Sequence, residues 1–573
     1  MGTISDKLMR IINTKEDIRQ ALISKGYDVP TSIPFKEYAK MILDLPCNAD
    51  SFPDIEGIVA RYSASGLTNE QMATNPVWVD KTGNGYDLQL KNFSWKGMSG
   101  VGGYVADIDE WGTNSTAAYF ERNSIKITAT FKENASLGLL YHNIKLRQSC
   151  VLKVTGIPEG CDAFLDDRLG NRFYMSEDGV YEIIPSNFLA EALYLSIEKY
   201  PERWYGSKLT IEQLPLYPGA LVFDGVDDYG VCENFPILTK EKGYTVVVLR
   251  QWDQDFLNTT LAGGLLSTRN YSTGEGVAFE KIESSNKGYW NLGAGGIIDF
   301  AKSPFTWQTS KQYNNVGILK GDKNHGKPLC VGCGLSGGQH CGRFAIWELV
   351  FLDHDATEEE LTKIKDYFVK THPWLFPDQA WTVVGKTNED EDRATIANIT
   401  GNGNDLVCLN LGFIEGSGYN EEGEYAGYLV TDGVDDKIIS STFEMGNDWT
   451  VIGDWELINT GKNDNAGIVK FDSIVIYNYN PILINIKNGR NNLIPDQNTV
   501  NAICSDGRIY SKDWKESIYN EETESTSKNL LTIGYSGNIY TKIAFKNLAI
   551  YPTVLSKEDC IKAYNYLQTL KSK

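Results

Sequence analysis

Three groups of side chains have the types and spacing to do chemistry. The first is a carboxylate cluster that occurs twice: Asp224, Asp227 and Asp228 in FDGVDDY, and Asp432, Asp435 and Asp436 in TDGVDDK. Calcium takes six to eight oxygen ligands, carboxylates and backbone carbonyls among them, so acids this crowded are candidate ligands. The competing reading is a turn, in which glycine supplies the positive φ and the aspartates accept hydrogen bonds from their own backbone. The turn is preferred, and neither copy carries EF-hand spacing.

The second group is Cys330-x-x-Cys333 with His340 and Cys341, and with His325 nearby. Zinc takes thiolates and imidazoles in a tetrahedral set. The spacing to His340 is shorter than in common zinc fingers. The matching strand of the second copy, LLTIGYSG (530–537), has no Cys or His. That copy folds without a metal, so neither a metal nor a cofactor is expected, and these four residues are the metal candidates weighed. The third group is Asp107-x-Asp109 with Glu110. Alternate acids on a strand face one cleft, as in jelly-roll glycoside hydrolases. Here the third alternate position is Trp111, and Glu110 falls on the other face. No Ser-His-Asp order, HExxH or nucleophile elbow appears, and His142, His354 and His372 are isolated. A non-enzyme with no catalytic residue is expected. The 13 Trp and 31 Tyr include rings that could stack on sugars, but most Trp in a β-protein are core. Trp95, Trp111, Trp204 and Trp290 lie near Gly-rich or polar stretches, and none is assigned to a ligand.

The elements that must position these groups are written as a repeat. TGNGYDL (82–88) recurs as TGNGNDL (400–406), FDGVDDY (223–229) as TDGVDDK (431–437), and AIWELVFLDHDATEEELTKIKDYF (345–368) as AFKNLAIYPTVLSKEDCIKAYNYL (544–567). Three markers in one order, twice, mean two copies of one module. The offsets are 318, 208 and 199 residues, so the first copy carries a guest of about 110 residues between TGNG and GVDD. Gly-Asn-Gly reads as a turn between strands and lacks the lysine of a phosphate loop. Short alternating runs such as SIKITATF (124–131) and SCVLKVTGI (149–157) make the guest a β-sandwich. A hydroxyl before acids, Thr357 before Glu358 and Ser556 before Lys557 and Glu558, starts each closing helix.

The fold class is therefore mainly β. Two copies of one β-module, a sandwich or a barrel, stand in tandem, a β-sandwich is inserted in the first, and a short helical segment leads. The boundaries are 1–46 for the helical segment, 47–100 plus 217–375 for the split first module, 101–216 for the guest, and 376–573 for the second module. In the leading segment, Thr14 and Asp17 resemble a capping box, and Phe35, Tyr38, Ala39, Ile42 and Leu45 share one helical face up to Pro46. Two short amphipathic helices cannot bury their faces alone, which leaves a cap on the β-body or an attachment segment. The linker HPWLFPDQAW (372–381) is short and proline-stiffened.

A formal charge of −21 with no basic patch disfavours nucleic acid and anionic membrane as partners. No apolar run approaches the roughly 20 residues of a membrane span. The start, MGTISDKLMR, lacks a signal-peptide core, and Asp6 breaks the myristoylation pattern. The ten cysteines are not shared between the copies, which argues against a disulfide framework and for folding in a reducing cytosol.

The order DGVDDY, strands, then a strand-turn-helix ending in LSKEDCIKAYNYL resembles the concanavalin-like, laminin-G-type jelly roll over 217–375 and 420–573. NTKEDIRQALISKGYDVP with FKEYAKMI resembles the N-terminal helical segment of phage tail and fibre proteins. TNEDEDRATIANITGNGNDL with LVTDGVDD, and TIEQLPLYPGALVFDGVDDYGVCENFPILTKEKGYTV, resemble fibre proteins of crAss-like and related phages of gut Bacteroidales. This resemblance implies a virion protein, a head or tail fibre assembled in the host cytoplasm. It implies a homo-oligomer with a trimer favoured, attached to capsid or tail proteins through residues 1–46, and lectin-like domains presented to host-surface glycans. Two other classes stay open. A secreted bacterial glycan-active enzyme or glycan-binding protein would carry a signal peptide and, if an enzyme, a carboxylate pair in a cleft. A purely structural virion assembly protein would bind no sugar.

Overall fold

The structure is a computed structural model. It describes residues 52–570 apart from 184–192, 237–244, 269–277, 300–327, 519–528 and shorter internal stretches. The helices expected within residues 1–46 lie outside the described residues. The described residues fall into two compact units: a smaller one holding 52–56 and 359–371, and a larger one holding 57–358 and 372–570. In the smaller unit the Phe52 ring meets Tyr367 edge-on at 5.0 Å. No helix among the described residues is long and apolar enough to cross a membrane.

The larger unit is mainly β, and one strand order occurs in it twice. In the first module the long strand Arg343–Leu352 pairs along one edge with Leu221–Asp224 and then Ile58–Ser63, and along its other edge with Thr245–Trp252. In the second module Ile543–Tyr551 pairs along one edge with Leu429–Val430 and then Gln379–Thr382, and along its other edge with Thr450–Leu457. Both modules carry a bulge at the same place, between Leu249 and Arg250 and between Asp454 and Trp455. The facing sheets also match. One runs Val77–Trp78, Leu88–Lys91, Tyr229–Cys232, Leu329–Val331, Gly263–Ser267 and onward; the other runs Thr395–Ile396, Leu406–Leu409, Lys437–Phe443, Asn529–Ile533, Ala466–Phe471 and onward. These are jelly-roll sandwiches. Their cores are built on Trp78, Phe223, Phe344 and Phe351 in the first and Trp381, Trp449, Phe545 and Leu548 in the second.

The run AIWELVFL, apolar but for Glu348, is buried on both strand faces because both are covered. Phe344, Ile346, Leu349 and Phe351 belong to the core of the first sandwich. On the opposite face, Trp347 donates Nε1–H to the Pro218 carbonyl at 2.8 Å and takes the edge of Tyr566 from the second module at 6.0 Å. Tyr566 also donates to Gln251 Oε1 at 3.0 Å. The linker is pinned as well: Tyr551 donates to the Trp374 carbonyl at 3.0 Å, and Lys562 lies over the Trp374 ring. The tandem pair is thus one packed body.

Between Gly100–Val101 and Leu221–Asp224 the strands pair only among themselves, in two five-stranded sheets. Lys126–Phe131 and Lys208–Gln213 alternate buried and outward positions, which sends Ile127, Ala129, Phe131, Leu209 and Ile211 into a core closed by Trp204. The two ends of this sandwich zip together where they leave the host: Gly102 donates to the Ala220 carbonyl, Tyr217 to Gly102 and Leu216 to Gly103, at 2.8–2.9 Å. Adjacent ends let a folded unit sit inside another without breaking its sheets.

The closing helix Lys557–Leu567 starts where Ser556 Oγ accepts the Asp559 amide at 3.1 Å. Ser556→Ala is expected to lower stability by about 1 kcal/mol, read as a downward shift in the urea midpoint of the full chain. An unchanged midpoint would count against the cap.

Candidate functional site

The DGVDD segments are tight turns in which the carboxylates brace the backbone. Gly225 and Gly433 sit at φ 77° and 76°, a region that costs a residue with a Cβ. In the first turn Asp224 Oδ1 accepts the Val226 amide at 2.7 Å. Asp228 accepts the Asp224 amide at 3.0 Å through Oδ2 and the Ser99 hydroxyl at 2.9 Å through Oδ1. In the second, Asp432 Oδ1 accepts the Val434 amide at 2.7 Å. Asp436 Oδ2 takes both the Asp432 amide at 2.8 Å and the Ser417 hydroxyl at 2.7 Å. Asn92 and Asn410 lock the turns by donating to the Asp227 and Asp435 carbonyls at 3.0 Å.

Each triad brings one oxygen per carboxylate within 4.8 Å of the others, so each could contribute ligands to a hard cation. Burial, with the Asp224 charge beside it, pushes the Asp228 carboxyl up to about 7. Burial likewise raises Asp436, whose Oδ1 is enclosed without a hydrogen-bond partner.

The Cys330, Cys333 and Cys341 thiols form a small buried cluster against Tyr229 and Val231. Cys333 and Cys341 face each other across an antiparallel pair. His340, in the positive-φ region at 56°, is exposed. Among the described residues, the donor sets gathered within 4.8 Å are the two aspartate triads; the Cys330, Cys333, His340 and Cys341 set is not one of them. The Cys341 thiol is held protonated, first by its hydrogen bond with Cys333 and then by burial. His325, Asp107, Asp109, Glu110 and Trp111 lie outside the described residues. Of the other tryptophans considered, Trp204 is fully buried against Phe131. Trp95 is half-buried and stacks on Phe93 at 4.8 Å.

A further site has no signature in the sequence. A cavity of about 570 Å³ lies where the inserted sandwich meets the second jelly roll. That volume falls within the roughly 300–1,000 Å³ of small-molecule pockets. Strands Cys150–Thr155 and Gly179–Ile183 supply one wall through Lys153, Val154 and Val180. The segment returning to the host supplies Leu214 and Pro215. The second jelly roll supplies Trp514 and Lys515, and its closing helix Lys557, Ile561, Lys562 and Asn565. The ion pair Lys515–Glu177 joins the two walls. Positions 153 and 557 are some 400 residues apart in the chain, so only the tertiary fold brings them together.

No family model matches the chain, and no curated protein matches it. Among solved structures it is similar to Trypanosoma rangeli sialidase in complex with sialic acid, at 8% identity and a TM-score of 0.26, over 80% of this chain and 84% of that one. It is also similar to the Botulinum neurotoxin serotype D binding domain, at 10% identity and a TM-score of 0.20, over 57% of this chain and 87% of that one. Scores of this size assign neither a family nor an activity.

Proposed function

We propose that this chain is a non-enzymatic fibre or decoration protein of a phage virion. Residues 1–46 attach it to capsid or tail proteins, and its β-domains face host-surface glycans. The observation that most supports this reading is the tandem pair of jelly rolls with one strand order, packed together through Trp347, Tyr566 and Gln251. A packed pair presents its surfaces in fixed relation. When several chains are displayed on one particle, weak individual contacts add through effective concentration. The virion setting comes from the sequence resemblance of the leading helices and the GVDD segments. Assembly as a homo-oligomer, a trimer being favoured, would supply the multivalency. The acidic charge of −21 fits a surface that avoids nucleic acid and anionic membrane.

Deleting residues 1–46 is expected to leave folded β-domains that no longer join virions. Particle incorporation, measured by immunoblot of purified virions beside the melting curve of the truncated protein, tests the reading. Normal incorporation of the truncated chain would overturn the attachment role. A glycan array probed with the full chain tests adhesion, and an array with no bound glycan would leave a purely structural part.

A further inference from the structure

The cavity between the inserted sandwich and the second jelly roll has a charge opposite to that of the chain. The protein carries −21, yet four lysines line the cavity, Lys153, Lys515, Lys557 and Lys562, against two acids, Asp178 and Glu558. Two of the lysines are engaged: Lys515 pairs with Glu177 and Lys562 with Glu558 at 2.8 Å. Asp178 is committed to the Gly156 and Ile157 amides. Lys153 and Lys557 are exposed and have no ion-pair partner among the described residues.

The walls between these charges are apolar, with Val180, Leu214, Pro215 and Ile561 half-buried along them. The site therefore asks for a molecule with an anionic group and an apolar C–H face. A bare inorganic anion would use only the lysines. A neutral sugar would use only the walls.

We propose that this cavity binds an acidic saccharide unit, a pyranose ring bearing a carboxylate. Lys153 and Lys557 serve as counter-charges, and the C–H face of the ring packs on Val180, Leu214, Pro215 and Ile561. The proposal rests on the glycan-adhesion reading and names the sugar class it would take. Both sandwiches contribute to the cavity, so binding also ties the inserted sandwich to the second jelly roll.

Calorimetric titration of the full chain tests the proposal, with trigalacturonate and a glucuronate-containing tetrasaccharide as acidic probes and maltotriose as the neutral control. At least one acidic probe is expected to bind saturably at one site per chain, with maltotriose at least about tenfold weaker. The Lys153→Gln/Lys557→Gln variant, altered only at exposed side chains, is expected to lose about tenfold in affinity at an unchanged melting temperature. Ile561→Trp, which fills the cavity and leaves its charge intact, is expected to lose binding as well. Equal binding of maltotriose, unaffected affinity in both variants, or no saturable binding of either acidic probe would each overturn the proposal. Adhesion of labelled protein to Bacteroidales cells separates the two readings. If wild type and the double-lysine variant adhere equally, the cavity fails and adhesion stands; if wild type binds an acidic probe but no cells, the cavity stands and adhesion fails.

Discussion

Glu348→Ala is expected to destabilise the protein by about 3–5 kcal/mol, because it removes the carboxylate at the centre of a buried charged cluster. Glu348 is 1% exposed and lies on the central strand Arg343–Leu352 of the first module, which is paired along both of its edges. Its Oε1 accepts the Ser63 hydroxyl at 2.7 Å and lies 3.3 Å from His372 Nε2; its Oε2 lies 3.6 Å from Arg61 Nε. Arg61 and His372 are themselves 5% and 2% exposed, so water cannot replace the lost carboxylate. Glu348→Gln keeps an acceptor for Ser63 and loses the charge, and should fall between the wild type and the alanine variant. The matching position of the second module is Asn547, which is fully buried with neither side-chain polar atom hydrogen-bonded. A neutral side chain thus occupies the matching place in the second module. Urea unfolding of the full chain measures the loss, and a value under about 1 kcal/mol would show that the cluster is not the anchor described.

The second large effect is a dependence on pH carried by Asp228. Its carboxyl is enclosed in the first GVDD turn and raised from 3.8 to about 7, by burial first and the Asp224 charge second. Between these values the unfolded chain has released the proton and the folded chain still holds it. Stability therefore falls as pH rises from about 4 to about 7, by about 4 kcal/mol. Asp228→Asn keeps a neutral group of the same shape. It is expected to be more stable than the wild type at pH 8 and to lose that advantage by pH 5. Thermal midpoints of both proteins across that range provide the check, and a difference that stays constant with pH, or grows toward acid, would refute the assignment.

The repeat itself is legible in the sequence because its markers are local. A Gly at positive φ followed by aspartates that bond their own backbone makes a turn from five residues, and Ser556 caps a helix from four. The alternating apolar pattern of Lys126–Phe131 is enough to say which side chains face a core. The mainly β class follows from such signals, and the jelly-roll topology from the resemblance of the repeated segments; both agree with the structure. The double burial of AIWELVFL is not read from the sequence: Glu348 interrupts the apolar run, and the segments that cover its two faces are distant in the chain. The residues chosen for their chemical types fared differently. The Cys330, Cys333 and Cys341 thiols are close in sequence and do cluster, but a strand turns His340 outward. Trp204 sits near polar residues in sequence and is buried against Phe131.

What the chain determines by itself is everything set within one turn or one strand period: the GVDD turns, the helix caps, the alternation and the twofold recurrence. The tertiary structure alone decided that Tyr566 of one module docks on Trp347 of the other, that Arg61 and His372 meet at Glu348, and that Lys153 and Lys557 face one cavity. Backbone sterics and local hydrogen bonds act over a few residues and leave a trace in spacing. Contacts between segments hundreds of residues apart depend on how the sheets close and stack, and no local spacing encodes them.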